Sequence, residues 1–298
     1  EEHRLNIIFG LICILPVLIY YSIKGKSLLD DGDTSWHIKS GQDIVQTGMF
    51  PVTDQYSFTQ FGEPWIAKEW LAQIVYYLAY AADGWAAVAL VVIATMSLTA
   101  WLLYSELSKH LAPRYAVTLA SLLILLVSPT ILARPHILIL PIAIIWTSRL
   151  FARARENRPP EFWLLVLMVL WSNLNASFPL GYVIAAFGFL QVLWAERLTN
   201  TRLLVSWLIF LALCPVASML TPYGWEPLMI AVNMAVTGNP WMGIITEWGP
   251  FSYPAFLPDS LALFALLGAL MSFRPPLFVF LILFFIFSFL SFLFHSPF

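Results

Sequence analysis

Three aspartates, Asp30, Asp31 and Asp33, lie within four positions directly after the first apolar run of the chain. A carboxylate at a membrane surface can accept a proton from a hydroxyl nucleophile. Two of them together can hold a divalent cation through hard oxygen ligands. The alternative is a solvated loop with an aspartate cap, and Asp33 is a plausible N-cap for a short helix through Gln46 that ends at Gly48.

The same polar segment, residues 23 to 84, contains further groups with useful chemistry. They are acids, a titratable imidazole and aromatic rings of the kind that hold sugars. The set is Trp36, His37, Asp54, Trp65, Glu69 and Trp70. Interfacial tryptophans also occur in membrane proteins generally. The acids and His37 therefore carry the functional interpretation.

Arg134 and His136 occur in LARPHI, between two apolar runs. An uncompensated charge is costly there, so each side chain should face a partner or a polar cavity. Arg134 could clamp a phosphate with two parallel hydrogen bonds. The alternatives are that Arg134 extends to lipid headgroups and that His136 is a satisfied buried histidine.

Two later segments add polar candidates. Asn173 and Asn175, in WSNLNASFPLG, lie at the end of an apolar run, where buried amides join hydrogen-bond networks and can line a polar pocket. Glu247, in ITEWGPF, is a further candidate for substrate binding, whereas Glu226 has the pattern of an ordinary surface acid.

The composition indicates the class of protein in which these residues lie. Of 298 residues, 60% are hydrophobic and only 11% are charged, which excludes a soluble globular domain. The formal net charge of -2 and the scattered basic residues exclude a nucleic-acid-binding surface. Both cysteines, Cys13 and Cys214, lie in apolar runs, which argues against a disulfide framework or a thiolate metal site.

The apolar runs predict an all-α, polytopic membrane bundle, because a crossing helix needs about 20 apolar residues. We predict one integral membrane domain over residues 1–298, with the first run retained as a span. About nine candidate spans are found: 6–22, 85–105, 115–131, 136–150, 161–174, 180–195, 203–220, 260–273 and 276–294.

The segment 65–82 is also apolar but contains Lys68 and Glu69, so we interpret it as a helix at the interface. Counting it as a span would place RLFARAREN, the densest basic run, outside, against the positive-inside rule. The N-terminus is then cytoplasmic. Residues 23–84 and 221–259 form two long extracytoplasmic segments.

The segment DDGDTSWHIKSGQDIVQTGMFPVTDQYSFTQFGEPWIAKEWLAQI resembles the first extracytoplasmic loop of bacterial GT-C-fold glycosyltransferases that use polyprenyl-phosphate-linked sugars. WSNLNASFPLG, TPYGWEPL, ITEWGPF and FLFHSPF fit the same pattern. The resemblance implies a GT-C-like bundle with juxtamembrane helices in the first loop. It also implies a bacterial inner (plasma) membrane, with the functional loops on the extracytoplasmic side.

The resemblance further implies roles for individual residues. Asp31 or Asp33 would deprotonate the acceptor or organise a divalent metal ion. Arg134 would bind the donor phosphate. The residues expected to line the pocket are His37, Asp54, Glu69, His136, Asn173 and Glu247.

The implied partners are membrane lipids, the polyprenyl-phosphate sugar and other membrane subunits. Many members of the family continue beyond the point where this chain stops. The alternative hypothesis is therefore a non-catalytic GT-C-like structural subunit of a larger membrane complex. A transporter is a weaker hypothesis, because charged residues are almost absent from span interiors.

Overall fold

A computed structural model describes residues 2–29, 31–127, 131–196 and 199–237. Within these residues the chain forms nine α-helices and two short 3-10 helices, Gly25–Leu28 and Pro135–Ile139. The α-helices are α1 (Glu2–Lys24), α2 (Gly32–Thr47), α3 (Trp70–Leu107), α4 (Pro113–Val127), α5 (Leu140–Arg155), α6 (Leu164–Leu174), α7 (Pro179–Glu196), α8 (Thr201–Ser218) and α9 (Glu226–Thr237).

Four of the described helical segments are long and apolar enough to cross a membrane. They are Trp70–Leu107, Pro135–Arg155, Pro179–Glu196 and Thr201–Ser218. Shorter apolar helices cover Ile7–Ile23, Pro113–Ile124 and Leu164–Leu174. The protein is helical and has the helices of a membrane protein. The predicted spans 260–273 and 276–294 lie outside the described residues, so the count of nine stays a prediction.

Helix α1 shows how the apolar residues are divided between core and surface. Cys13, Val17 and Tyr21 recur at helical spacing on its buried face. The opposite face is apolar as well, and its exposed residues are Ile7, Ile8, Leu11, Ile12, Leu15, Leu18, Ile19 and Ile23. A soluble protein rarely exposes a continuous apolar surface of this kind, whereas a lipid-facing helix must.

Helix α3 contains a sharp break at Asp83 and Gly84, whose backbone angles are not helical. Gly84 has a φ of 57°, which favours glycine. The break separates residues 70–82 from residues 85–107. The predicted interfacial helix 65–82 is therefore shorter than expected, since residues 65–69 precede the helix and Glu69 is its N-cap.

The connections before α2, between α4 and α5, between α6 and α7, and after α8 meet at one end of the bundle. Asp31 contacts Arg134, and Glu69 contacts Asn175. Arg134 and Glu69 are therefore at the same end of the bundle. Residues 70–82 lie beside α2 at that end.

Helix α2 starts two residues earlier than predicted. Its N-cap is Asp31 and not Asp33, and the Asp31 side chain accepts a hydrogen bond from the backbone N–H of Asp33. Asp33 is in the first turn, where a carboxylate is favoured by the helix dipole. The helix ends as predicted at Gly48, which has a left-handed conformation with a φ of 68°.

The contact between α2 and α3 requires a glycine at position 41. A Cβ atom there would lie 2.1 Å from the backbone oxygen of Gln73, and backbone cannot move aside easily. Ser40 next to it donates a hydrogen bond of 2.7 Å to Gln73 Oε1. The helices thus touch backbone to backbone at this point, which fixes α2 against the bundle.

We expect Gly41→Ala to lower the free energy of unfolding by about 2 kcal/mol, because the added methyl group forces the two helices apart. Thermal unfolding of the purified protein in detergent measures this loss. Gly32→Ala is the matched control, since a Cβ at that helical position meets no atom within 4 Å. Equal melting temperatures for the two variants would contradict this close packing.

Candidate functional site

The centre of the site is Arg134, in the connection between α4 and α5. Its backbone oxygen accepts a hydrogen bond of 2.8 Å from the Tyr76 hydroxyl. The preceding residue, Ala133, bonds through its N–H to Leu28 O at 3.0 Å and accepts from Thr34 Oγ1 at 3.1 Å. Helices α2 and α3 and the end of the first helical region thus hold this connection in place.

The Arg134 guanidinium binds both aspartates that the sequence singled out. Its Nε lies 2.5 Å from Asp31 Oδ2 and its Nη2 lies 2.8 Å from Asp31 Oδ1, which is a bidentate pair. The same Nη2 is 3.2 Å from Asp33 Oδ2. Arg134 therefore pairs with acids of the chain.

Asp31 and Asp33 differ in exposure. The Asp31 side chain is 6% exposed and the Asp33 side chain is 42% exposed. Burial raises the pKa of Asp31, but the hydrogen bonds and charge of Arg134 outweigh it, so the pKa lies below its ordinary value. Asp31 is a buried, permanently paired group, whereas Asp33 can meet an incoming molecule.

Two aromatic side chains adjoin these acids. Trp36 donates from Nε1 to Asp33 Oδ1 at 3.3 Å. The His37 ring lies against Trp36 with ring centroids 3.9 Å apart, and its buried Nδ1 has no hydrogen-bond partner among the residues that the structure describes. Burial, and then the charge of Arg134, lower the pKa of His37 to about 3, so the ring is neutral. His136 lies close enough to Arg134 and Asp31 to interact electrostatically with both.

Glu69, the N-cap of α3, is a second buried acid next to this group. It is 3% exposed and accepts a hydrogen bond of 3.2 Å from Asn175 Nδ2. Burial raises the pKa of Glu69 to about 7, although neighbouring Lys68 opposes the shift. The carboxyl group is therefore divided between its protonated and ionised forms near neutral pH.

The Asn173 side chain is buried and hydrogen-bonded to other parts of the bundle. Its Oδ1 accepts a hydrogen bond of 2.6 Å from Trp70 Nε1, and its Nδ2 donates to Val169 O and Leu220 O. The amide joins α3, α6 and the segment after α8. Both of its polar atoms bond to residues that the structure describes, so Asn173 supports the site.

Asp54 and Glu247 were also predicted to bind substrate. Asp54 closes its own turn, accepting hydrogen bonds from Tyr56 N, Ser57 N and Ser57 Oγ at 2.5 to 2.9 Å. Its oxygens hold the loop, and its role in substrate binding stays a prediction. Glu247 lies outside the described residues, and its role stays a prediction.

A metal ion was one expected use of Asp31 and Asp33. Across the described ranges, no group of three or more His, Cys, Asp or Glu side chains is arranged to hold one. The two carboxylates face the Arg134 guanidinium, with which a cation at that place would compete. The arrangement favours a charge-paired site over a metal centre.

Sequence reasoning missed the residues that fasten the loop to the bundle. The Tyr223 hydroxyl donates to Pro51 O at 2.9 Å and accepts from Ala67 N at 3.1 Å. The Thr34 and Tyr76 hydroxyls donate to the backbone oxygens of Ala133 and Arg134, respectively. A hydroxyl that bonds distant backbone leaves no local sequence signal, although TPYGWEPL pointed to the segment of Tyr223.

The raised pKa of Glu69 predicts a pH-dependent stability difference. Because the folded pKa of about 7 exceeds the ordinary 4.5, the folded state binds the proton more tightly and wild-type stability falls as pH rises between these values. Glu69→Gln keeps the acceptor for Asn175 but does not titrate. We expect the variant to gain about 2 kcal/mol over wild type between pH 5 and pH 8.

Thermal unfolding at a series of pH values measures this gain. Glu63→Gln, at an exposed acid of the same loop, is the control and should follow wild type throughout. A Glu69→Gln advantage that does not change with pH would show that the carboxyl group is not held in the buried environment described above.

Comparison of the chain with protein-family models, with curated proteins and with solved structures finds no match. Function has to be inferred from the chemistry of the acids and the guanidinium group.

Proposed function

We propose that the protein is a membrane glycosyltransferase of the GT-C type, which moves a sugar from a polyprenyl-phosphate-linked donor to an acceptor hydroxyl. The observation that carries the proposal is the half-exposed Asp33 carboxylate, 3.2 Å from the Arg134 guanidinium. A base and a cation side by side are what transfer from a lipid phosphate requires. The choice of a lipid-linked donor is supported by the four helices that are long and apolar enough to cross a membrane.

In the proposed reaction the acceptor oxygen forms a bond to the anomeric carbon of the sugar. Asp33 takes the proton from that hydroxyl. The bond between the anomeric carbon and the phosphate oxygen breaks, and its electron pair leaves with the polyprenyl phosphate. Arg134 stabilises the negative charge that develops on this phosphate.

Asp31 has a positioning role in this account. It is buried and bound to Arg134 by two hydrogen bonds, so it holds the guanidinium plane in place. Asp33 makes only the longer contact with Nη2. A donor phosphate can therefore take the place of Asp33 at Arg134 without separating Arg134 from Asp31, which frees Asp33 to act as the base.

We further propose nine spans, a cytoplasmic N-terminus and a site on the extracytoplasmic face of a bacterial inner membrane. The support is the distribution of charge. The last turn of α5 and the connection to α6, on the end opposite Arg134, are basic and contain Arg153, Arg155 and Arg158. Positive residues are retained on the cytoplasmic side.

A second candidate function is a non-catalytic structural subunit. The observation that favours it is the completeness of the polar contacts: Asp31 is paired, Glu69 is bonded to Asn175, and Trp70 is bonded to Asn173. In this second account, the network of hydrogen bonds has the sole role of holding the loop on the bundle. The two functions differ in whether Asp33 has a substrate.

Reconstitution tests the choice. The purified chain is placed in vesicles with a radiolabelled polyprenyl-phosphate sugar, and a membrane extract is supplied as the source of acceptors. We expect label to leave the lipid fraction in proportion to the amount of protein. A protein that purifies in a stoichiometric complex and releases no label, alone or in the complex, would establish the structural subunit.

A further inference from the structure

A concave region lies along the edge of α2 opposite His37. It is a cavity of about 550 Å³, within the range of small-molecule sites. One wall is the exposed edge of α2, and the other is the chain from Met49 to Tyr56, which follows Gly48. We call this cavity the α2 groove. Its lining residues are Lys39, Asp43, Thr47, Met49, Phe50, Pro51, Val52, Thr53, Gln55 and Tyr56.

The walls of the α2 groove are held in a fixed geometry. Thr47 donates to Asp43 O at 2.6 Å and accepts from Met49 N at 3.2 Å, which closes the helix end. The Tyr56 hydroxyl donates to Asp43 Oδ2 at 3.2 Å. The outer wall is fastened by Tyr223, which bonds to Pro51 O. The groove is therefore preformed, and binding would not have to order it.

The charges in the α2 groove cancel. Lys39 Nζ lies 2.6 Å from Asp43 Oδ1, and these are the charged side chains of the lining. An anion or a cation would have to separate this pair to bind. With this pair intact, the lining offers hydroxyl and amide groups, the Asp43 carboxylate oxygens, and apolar surface from Phe50 and Val52. This mixture fits a neutral ligand with hydroxyl groups and apolar faces.

A line of aromatic rings joins the α2 groove to Asp33. Tyr56 is in edge contact with Trp65, with ring centroids 5.6 Å apart. Trp65 is in edge contact with Trp36 at 5.9 Å, and Trp36 donates to Asp33. The rings are partly exposed. Asp43 and Asp33 are ten residues apart on one helix, or about 15 Å.

We propose that the α2 groove binds a neutral saccharide and that the acceptor of the transfer reaction is an oligosaccharide lying along these rings from the groove to Asp33. Sugar rings place their apolar faces on Trp36 and Trp65, and their hydroxyl groups bond Asp43 and Gln55. The acceptor role rests on the proposed transferase activity. Saccharide binding in the groove does not depend on it.

Saturation-transfer NMR on the full chain in nanodiscs tests the binding. The probes are cellobiose, maltose and N,N′-diacetylchitobiose, each added alone, with glucose 6-phosphate as the charged comparison. We expect saturation transfer to a neutral disaccharide, and an affinity about tenfold weaker in Asp43→Ala, as expected for lost hydrogen bonds. Gln55→Ala, at an exposed position that cannot disturb the fold, should weaken binding in the same direction.

The controls separate this inference from the proposed reaction. Glu63→Gln lies outside the groove and should bind as wild type does. Binding without any transferase activity would leave the groove assigned and remove the reaction. A lack of signal from all of the neutral probes, or equal signals in wild type, Asp43→Ala and Gln55→Ala, would overturn the inference.

Discussion

Replacing Arg134 by methionine is expected to lower the free energy of unfolding by about 3 to 5 kcal/mol, because the change leaves the Asp31 carboxylate buried without its partner. Asp31 is only 6% exposed, so water cannot replace the two lost hydrogen bonds. The Asp33 carboxylate nearby adds repulsion once the guanidinium is gone. Methionine keeps the length of the side chain, so the effect reports charge and hydrogen bonding more than volume.

Thermal unfolding in detergent measures this loss, and two companion variants identify its cause. Arg134→Lys keeps the charge but lacks the planar, bidentate geometry, so it should be destabilised less. The double variant Arg134→Met with Asp31→Asn removes the unpaired charge and should recover much of the stability. A double variant no more stable than Arg134→Met alone would contradict a loss caused by the stranded carboxylate.

Asp33→Asn is expected to reduce the rate of sugar transfer by about 10²- to 10⁴-fold, the usual contribution of a general base. The protein should fold normally, because the Asp33 side chain is 42% exposed and asparagine keeps an acceptor for Trp36. The measurement is the initial rate of label transfer in vesicles at equal amounts of folded protein.

Two other acids serve as references for that rate. Glu63→Gln should retain full activity, because its side chain is exposed on the loop away from Arg134. Asp31→Asn should lose stability as well as activity, since it disturbs the anchor of Arg134. Full transfer by Asp33→Asn would remove Asp33 as the base, and equal loss in Glu63→Gln would mean that the loop is disturbed generally.

Much of the helical architecture follows from the distribution of apolar residues. The helix from Gly32 to Thr47 was predicted from its cap and its terminal Gly48, with the start wrong by two residues because Asp31 and not Asp33 is the cap. Both aspartates satisfy the statistical preference for a cap. Only the contact of Asp31 with Arg134, a residue 103 positions away, decides between them.

Sequence analysis named Arg134, Asp31 and Asp33 as site residues but did not predict how they contact one another. The cost of an unpaired charge predicted a partner for Arg134, and the structure supplies Asp31 and Asp33. The difference in exposure between these two acids depends on the packing of α2 against α3, which no local pattern encodes. The turn that Asp54 closes through its hydrogen bonds to Tyr56 and Ser57 was not predicted from the sequence, and the predicted role of Asp54 in substrate binding stays a prediction.

The most direct test of the account is an experimental structure of the protein in a lipid nanodisc with a bound polyprenyl-phosphate sugar. We predict density for the phosphate against Arg134, with Asp31 still paired to the guanidinium and Asp33 turned toward the anomeric carbon. A donor bound at another part of the chain, with the contacts of Asp31 and Asp33 to Arg134 unchanged, would contradict it.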